Sequence, residues 1–233
     1  MTPGLSERLT VVRERIQAAA RLAGRDPAEI TLIAVTKFHP ASLVRDLAAL
    51  GQRDVGENRD QEAHAKAGEL ASLGLHWHFI GQLQTNKARR VVSYAHAVHS
   101  VDRPRLVDAL DAAVGGENGP ANGGPLDCFL QVSLDGSPGR GGVTPDGLLP
   151  LAQQVLAAAG LRLRGLMAVA PLGEDPDPAF EHLRLLSLRL RRLAPEANAI
   201  SAGMSHDFEK AIAHGATHLR IGTAITGIRP TRG

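Results

Sequence analysis

Among the 26 basic residues of this chain only four are lysines: Lys37, Lys66, Lys87 and Lys210. Lys37 stands apart because it ends a short β-branched apolar run, ITLIAVTK, in which Thr31, Ile33, Val35 and Lys37 alternate onto one face. An amine enclosed by apolar groups gives up its proton more readily, since burial disfavours the charged form. The neutral amine attacks a carbonyl carbon to give an imine. Lys37 thus has three chemistries open to it: imine formation, contact with an anion, or plain projection into solvent.

A second set of residues lies near the C-terminus. In SAGMSHDFEKAI, Ser205 is the expected N-cap of a helix, and the free amides of that first turn make an anion site. In RIGTAITG, Gly222 lets a ligand approach the backbone and Thr223 offers a hydroxyl and an amide. Together the two loops suit a phosphate. Arg220 shares a strand face with His218 and Gly222. If that face is buried, the guanidinium needs a partner. A ring nitrogen of a ligand, a carboxylate, or an ion pair with Glu57 would each provide one.

Four further positions carry weaker signals. His76 and His78 alternate in HWHFIG, a spacing that can bind a metal, but no cysteine or acid cluster joins them and packing is the expectation. Asn58 in GEN is expected to cap the following helix, with ligand orientation as its other reading. Met167 in LMAV reads as core.

The elements that must position these residues alternate regularly. A helix over Leu5–Ala23, with Ser6 as N-cap, precedes the strand ITLIAVTK and a helix over Ala41–Leu50 that Pro40 opens and Gly51 stops. DVGE, HWHFIG and HAVHSVD are strands two to four. Helices over Arg59–Leu73, Asn86–Tyr94 and Pro104–Val114 follow them in turn. After a Gly/Pro-rich stretch over Gly115–Pro125 comes LDCFLQVSL, then DGSPGRGG and a helix over Pro145–Ala159. LRLRGLMAV, NAISAG and THLRIG complete the strands, with helices over Pro178–Leu193 and Ser205–His214 between them. Eight βα units predict a parallel sheet closed into a (β/α)8 barrel, with an open doubly wound sheet as the rival. In such a barrel the strand C-termini form the active face, and loops after strands seven and eight commonly hold phosphate.

The totals agree with one domain over residues 1–233. A chain of 233 residues, 43% hydrophobic and 21% charged, buries a core without staples. A formal charge of +2 gives no footprint for nucleic acid. Cys128, the one cysteine, excludes an internal disulfide. No basic-then-apolar leader or membrane-length run is evident, so a cytoplasmic location is expected. A lysine imine, a phosphate cup and a cation beside a ring nitrogen describe pyridoxal 5′-phosphate (PLP) better than a sugar phosphate, though spacing alone leaves both open.

AVTKFHP, GENRDQE, WHFIGQLQTNK, HSVDR, LRGLMAVAP, SAGMSHDFEKAI and RIGTAITG resemble, in order and spacing, the pyridoxal phosphate homeostasis protein family. The resemblance covers nearly the whole chain and implies a single barrel similar to the N-terminal domain of alanine racemase. It implies that Lys37 carries PLP as an imine, that Ser205, Gly222 and Thr223 bind the phosphate, and that Arg220 sits beside the pyridine nitrogen. Asn58 and Met167 match positions lining the family's pocket. Some members carry Lys-Ser-Gly where this chain has Gly139-Arg140-Gly141-Gly142, and arginine cannot form a stable imine. The run from Ser201 to Ser205 reads SAGMS where SMGMS is frequent, a mild change.

The implied role is carriage and regulation of intracellular PLP without turnover, with PLP-dependent apoenzymes as recipients; a monomer is expected, since the racemase's dimerising second domain is absent. A weak PLP-dependent amino-acid racemase is the alternative. Two-base racemisation needs a second acid/base, and Tyr94, the single tyrosine, falls late in a helix. A cation at the pyridine nitrogen also weakens the cofactor as an electron sink, although alanine racemase uses an arginine there as well.

Overall fold

The computed structural model describes residues 3–116, 119, 123–135 and 141–227. Eight strands close into a barrel in chain order, each parallel to its neighbours. They are β1 (Thr31–Val35), β2 (Asp54–Glu57), β3 (His76–Phe79), β4 (Ala95–Val101), β5 (Leu126–Gln131), β6 (Leu161–Met167), β7 (Ala199–Ser201) and β8 (His218–Ile221). The helix α1 (Leu5–Leu22) comes first. The crossovers are α2 (Ala41–Ala49), α3 (Asp60–Glu69), α4 (Ala88–Val92), α5 (Pro104–Val114), α6 (Leu148–Ala157), α7 (Pro176–Leu193) and α8 (Phe208–Ala213), with α9 (Thr223–Thr226) after β8. The expected (β/α)8 barrel is the observed fold.

Most strand residues are buried, whichever face they point to. Outward residues such as Ala34, Val55, Val98, Leu130, Leu166 and Leu219 pack against the helices in one continuous apolar shell. Helix α1 inserts Leu9, Val12 and Ile16 into that shell, and Arg8 Nε donates to the Ile225 carbonyl at 2.7 Å, tying α1 to α9. The inward face differs from the usual layers of branched aliphatics. Ala97, Phe129, Met167 and Ala199 form a small apolar layer, and His78, His99 and His218 surround it. The N-terminal mouth is a polar cavity of about 310 Å³ lined by Asp54, His76, His78, His96, Asp127 and Arg164 among others.

Local starts and stops correct several expectations. Ser6 caps nothing: Gly4 is the N-cap of α1 and makes no side-chain cap bond. Helix α7 begins at Pro176, not Pro178, because Asp175 accepts from the Asp177 amide at 3.2 Å and Pro176 needs no donor. Asn58 is not a cap either, since α3 starts from Arg59 with no side-chain cap bond. The segment Asn86–Tyr94 divides into a 3₁₀ turn and the short α4, which leaves Tyr94 beyond the helix. Strand β1 stops at Val35, two residues before Lys37.

Gly165 shows how tightly the barrel closes. Its φ is +151°, and a Cβ there would lie 1.8 Å from the Ala199 carbonyl oxygen on the neighbouring strand. Gly165→Ala is expected to cost on the order of 3 kcal/mol by splitting β6 from β7. Urea unfolding checks this: a midpoint within a few tenths molar of the parent would refute the backbone contact.

Candidate functional site at the C-terminal mouth of the barrel

Lys37 lies in the turn after β1, and it is exposed. The apolar enclosure expected from strand alternation is absent, because pairing with β2 ends as the Thr36 amide donates to the Gly56 carbonyl at 2.9 Å. The turn is tightly constrained. Phe38 has φ +68°, a left-handed conformation costly for an aromatic residue, and the Arg59 guanidinium lies 4.7 Å from its ring centroid. Thr36 is buried and donates from Oγ1 to Glu57 Oε1 at 2.7 Å. Lys66 Nζ donates to that same carboxylate oxygen at 2.7 Å and to the Thr36 carbonyl at 3.0 Å. A buried ion pair therefore fixes the residue directly before Lys37.

This clamp was not foreseen from the sequence. It removes the suggested Glu57–Arg220 pair, because Glu57 turns outward beneath α3 while Arg220 turns inward. The only available cue was the spacing of Glu57 and Lys66 across one strand–helix unit. Burial raises the Glu57 pKa, against the pull of Lys66 and Thr36, and its Oε2 has no partner.

The loops after β7 and β8 meet as expected, with different local geometry. Ser205 is not an N-cap: residues 205–207 form a turn, and α8 begins at Phe208. Asp207 Oδ1 instead accepts from the Met204 amide at 2.5 Å. Ser205 faces the other loop. Thr223 Oγ1 donates to Ser205 Oγ at 3.3 Å, and the Ala224 amide does so at 3.4 Å. A Cβ on Gly222 would meet Val35 at an ordinary 3.6 Å, so the protein's own packing does not demand glycine there. The register Ala34↔Ile221 sets this pair beside the end of β1.

Arg220 points into the barrel and is buried. Nη1 donates to Ser201 Oγ at 2.6 Å and Nη2 to the Ala168 carbonyl at 2.9 Å. Both acceptors are neutral, and no carboxylate pairs with it among the described residues. Burial pulls its pKa down to about 10, with partial relief from Asp207. Asn58 follows β2, and its Oδ1 is buried without a partner. Met167 ends β6 in the inner apolar layer, paired with Gln131 on one side and Ser201 on the other. A cleft of about 250 Å³ lined by Gln131, Val169, Leu172 and Met204 opens at this end. Gly141 and Gly142 approach it, whereas Gly139 and Arg140 lie outside the described residues.

The remaining candidates separate from this mouth. Lys210 pairs with Asp175 and Asp177 at 2.7 and 2.9 Å on the outer surface. Tyr94 lines a cavity of about 470 Å³ outside the barrel, with His64 and Trp77. Its hydroxyl is buried without a partner, and burial lifts its pKa. His76 and His78 both hydrogen-bond to Asp54 Oδ1, at 3.1 and 3.0 Å. Burial drives His218 down to about 3 and His99 well below the ordinary imidazole range.

Fold and mouth together define a barrel of the alanine racemase N-terminal class, and the sequence model of the family described as "Alanine racemase, N-terminal domain" matches residues 8–230. The pyridoxal phosphate homeostasis protein of Mycobacterium tuberculosis is 46% identical over 242 residues, covering 98% of this chain and 94% of that protein. The protein of that name from Escherichia coli strain K12 is 39% identical, covering 97% of each. PipY of Synechococcus elongatus, solved with PLP bound, superposes with a TM-score of 0.80 at 37% identity, over 96% of this chain and 100% of that one. Alanine racemase from Corynebacterium glutamicum shares the fold alone, with a TM-score of 0.68 at 16% identity over 97% of this chain and 63% of that one. The chain belongs to the pyridoxal phosphate homeostasis protein family.

Two outcomes follow from the electrostatics. The neutral, depressed histidines His99 and His218 contribute stability that is full above about pH 6.5 and lost as the pH falls, since the unfolded chain takes up protons first. His218→Gln should flatten the acid limb of stability against pH by about 1.4 kcal/mol per pH unit between about pH 6 and 4, read by urea unfolding. Glu57 has the opposite sign: its raised pKa gives stability at low pH that is lost on raising the pH. Lys66→Met should cost about 3–5 kcal/mol at neutral pH by orphaning Glu57. The deficit relative to the parent should shrink between pH 7 and pH 5; a deficit independent of pH would refute the buried pair.

Proposed function

We propose that this chain, as one barrel domain over residues 1–233, binds PLP through Lys37 and serves intracellular PLP homeostasis as a carrier and regulator. The reading carries a cytoplasmic, monomeric protein that delivers PLP to PLP-dependent apoenzymes. The observation that supports it best is a buried Arg220 met only by neutral acceptors, at the same mouth as the Ser205–Thr223 pair and Lys37. The orphaned Asn58 Oδ1 and the unforced glycine at position 222 also suit a ligand. A relative solved with PLP bound gives the ligand's class.

The cofactor supplies an aldehyde that an amine captures reversibly with release of water. Lys37 provides that amine, and its exposure suits loading and release from solvent. Ser205, Gly222 and Thr223 receive the phosphate through two hydroxyls and backbone amides. Arg220 can only donate, so it holds a ring nitrogen as an acceptor and keeps it without a proton. Asn58 and Met167 bound the ring. The absence of turnover is argued from two residues: Arg220 weakens the electron sink, and the single tyrosine, Tyr94, lies on the outer wall.

The purified protein is expected to be yellow, and borohydride should fix the cofactor on the peptide containing Lys37. Ser205→Ala and Thr223→Ala should each weaken PLP retention about 10-fold, for one charge-assisted hydrogen bond apiece. Label on Lys66, Lys87 or Lys210 would overturn the assignment.

A further inference from the structure

Arg220 is joined to the opposite mouth of the barrel by an unbroken line of hydrogen bonds. It donates to Ser201 Oγ, which lies 2.9 Å from His99 Nδ1. His99 Nε2 lies 3.0 Å from His78 Nδ1, and His78 Nε2 lies 3.0 Å from Asp54 Oδ1. Five strands contribute, β2, β3, β4, β7 and β8, and no helix takes part.

With both rings neutral, the two ends fix the direction of every hydrogen between them. A guanidinium offers only donors and a carboxylate only acceptors. Asp54 is held as the carboxylate: burial alone would raise its pKa, and its contacts with His78 and His76 bring it below the ordinary range. A neutral His78 therefore presents Nε2–H to Asp54, which leaves Nδ1 bare to accept from His99. His99 then carries its hydrogen on Nε2, and its bare Nδ1 accepts the Ser201 hydroxyl. Ser201 keeps a lone pair for Arg220. With neutral rings, the reverse order would set the bare Nε2 of His78 against the Asp54 carboxylate and leave the Ser201 hydrogen without its acceptor.

The surroundings hold this order in place. Phe129 stacks on His99 at 4.2 Å between centroids and 12° between planes. His218 lies edge-on to both rings, at 6.3 and 5.0 Å. His76 shares the Asp54 carboxylate, His96 stacks on His76 at 4.8 Å, and Asp127 is engaged by Arg162 and Arg164.

We propose that Ser201, His99, His78 and Asp54 are positioning residues for Arg220: a one-way relay, anchored at the N-terminal mouth, that aims the guanidinium at the ring of the bound cofactor. The cofactor end of this relay rests on the reading of Arg220 given above. The relay itself exists without cofactor, so its first test needs none. Long-range proton–nitrogen NMR of the apoprotein at about pH 8 should find both His78 and His99 with hydrogen on Nε2. Hydrogen on Nδ1 of His99, or a mixture of tautomers, overturns the relay.

The second test reads the far end. Asp54→Ala should shift the visible absorption band of bound PLP although Asp54 sits at the opposite mouth, and Ser201→Ala should shift the band and weaken retention about 10-fold. In the Ser201→Ala background the Asp54→Ala shift should vanish, because the path is already cut. Equal Asp54→Ala shifts in both backgrounds, or none in either, overturn the positioning role. An unlabelled Lys37 with the expected tautomers overturns the cofactor reading alone.

Discussion

A guanidinium buried inside a closed barrel is the constraint around which the rest of this interior is organised. Leaving such a charge without acceptors would cost several kcal/mol. The barrel meets it with neutral oxygens, one from Ser201 and one from the Ala168 carbonyl. Ser201 can serve only if its own hydrogen has somewhere to go, and His99 takes it. That requirement passes from ring to ring until it ends on a carboxylate at the solvent-facing edge. Residues that look like unrelated strand histidines are thus successive answers to one electrostatic problem.

The same logic explains the division of labour between the barrel's two faces. On the outer face, Glu57 and Lys66 form a buried ion pair whose purpose is positional: it pins Thr36, and through it the turn that presents Lys37. On the inner face, charge is carried by Arg220 and received by Asp54. Lys37 follows the clamped Thr36 directly, exposed and next to a strained neighbour, Phe38. An amine on a rigid base but open to solvent suits the reversible tether proposed for it.

Family membership and site geometry bear on different questions. The relatives named as homeostasis proteins and the PLP-bound neighbour give the class of ligand. The distant racemases share the barrel and extend it by roughly a third of their own length, so they speak only to the fold. What distinguishes this chain from a generic barrel is its interior chemistry, and that has to be argued from its own atoms.

Eight alternating βα units, the order of the motifs and the singular position of Lys37 were legible in the sequence, because periodicity and punctuation are local properties. The end of β1 was not. Alternation carried the strand to Lys37, whereas ladder pairing stopped it at Val35 and left the lysine exposed. Ser205 was correctly joined to the loop containing Thr223 but for the wrong local reason, since Asp207 organises that turn. The motifs containing His99 and Ser201 and the spacing of Lys66 from Glu57 did not say what these side chains would touch. Their roles depend on which strands are neighbours across the barrel: His99 reaches Ser201 over 102 positions of chain. The chain alone determined that there would be a barrel and which motifs its strands would end in. Only closure decided which side chains share its interior, because hydrogen bonds between strands are set by distance in space and not by distance in sequence.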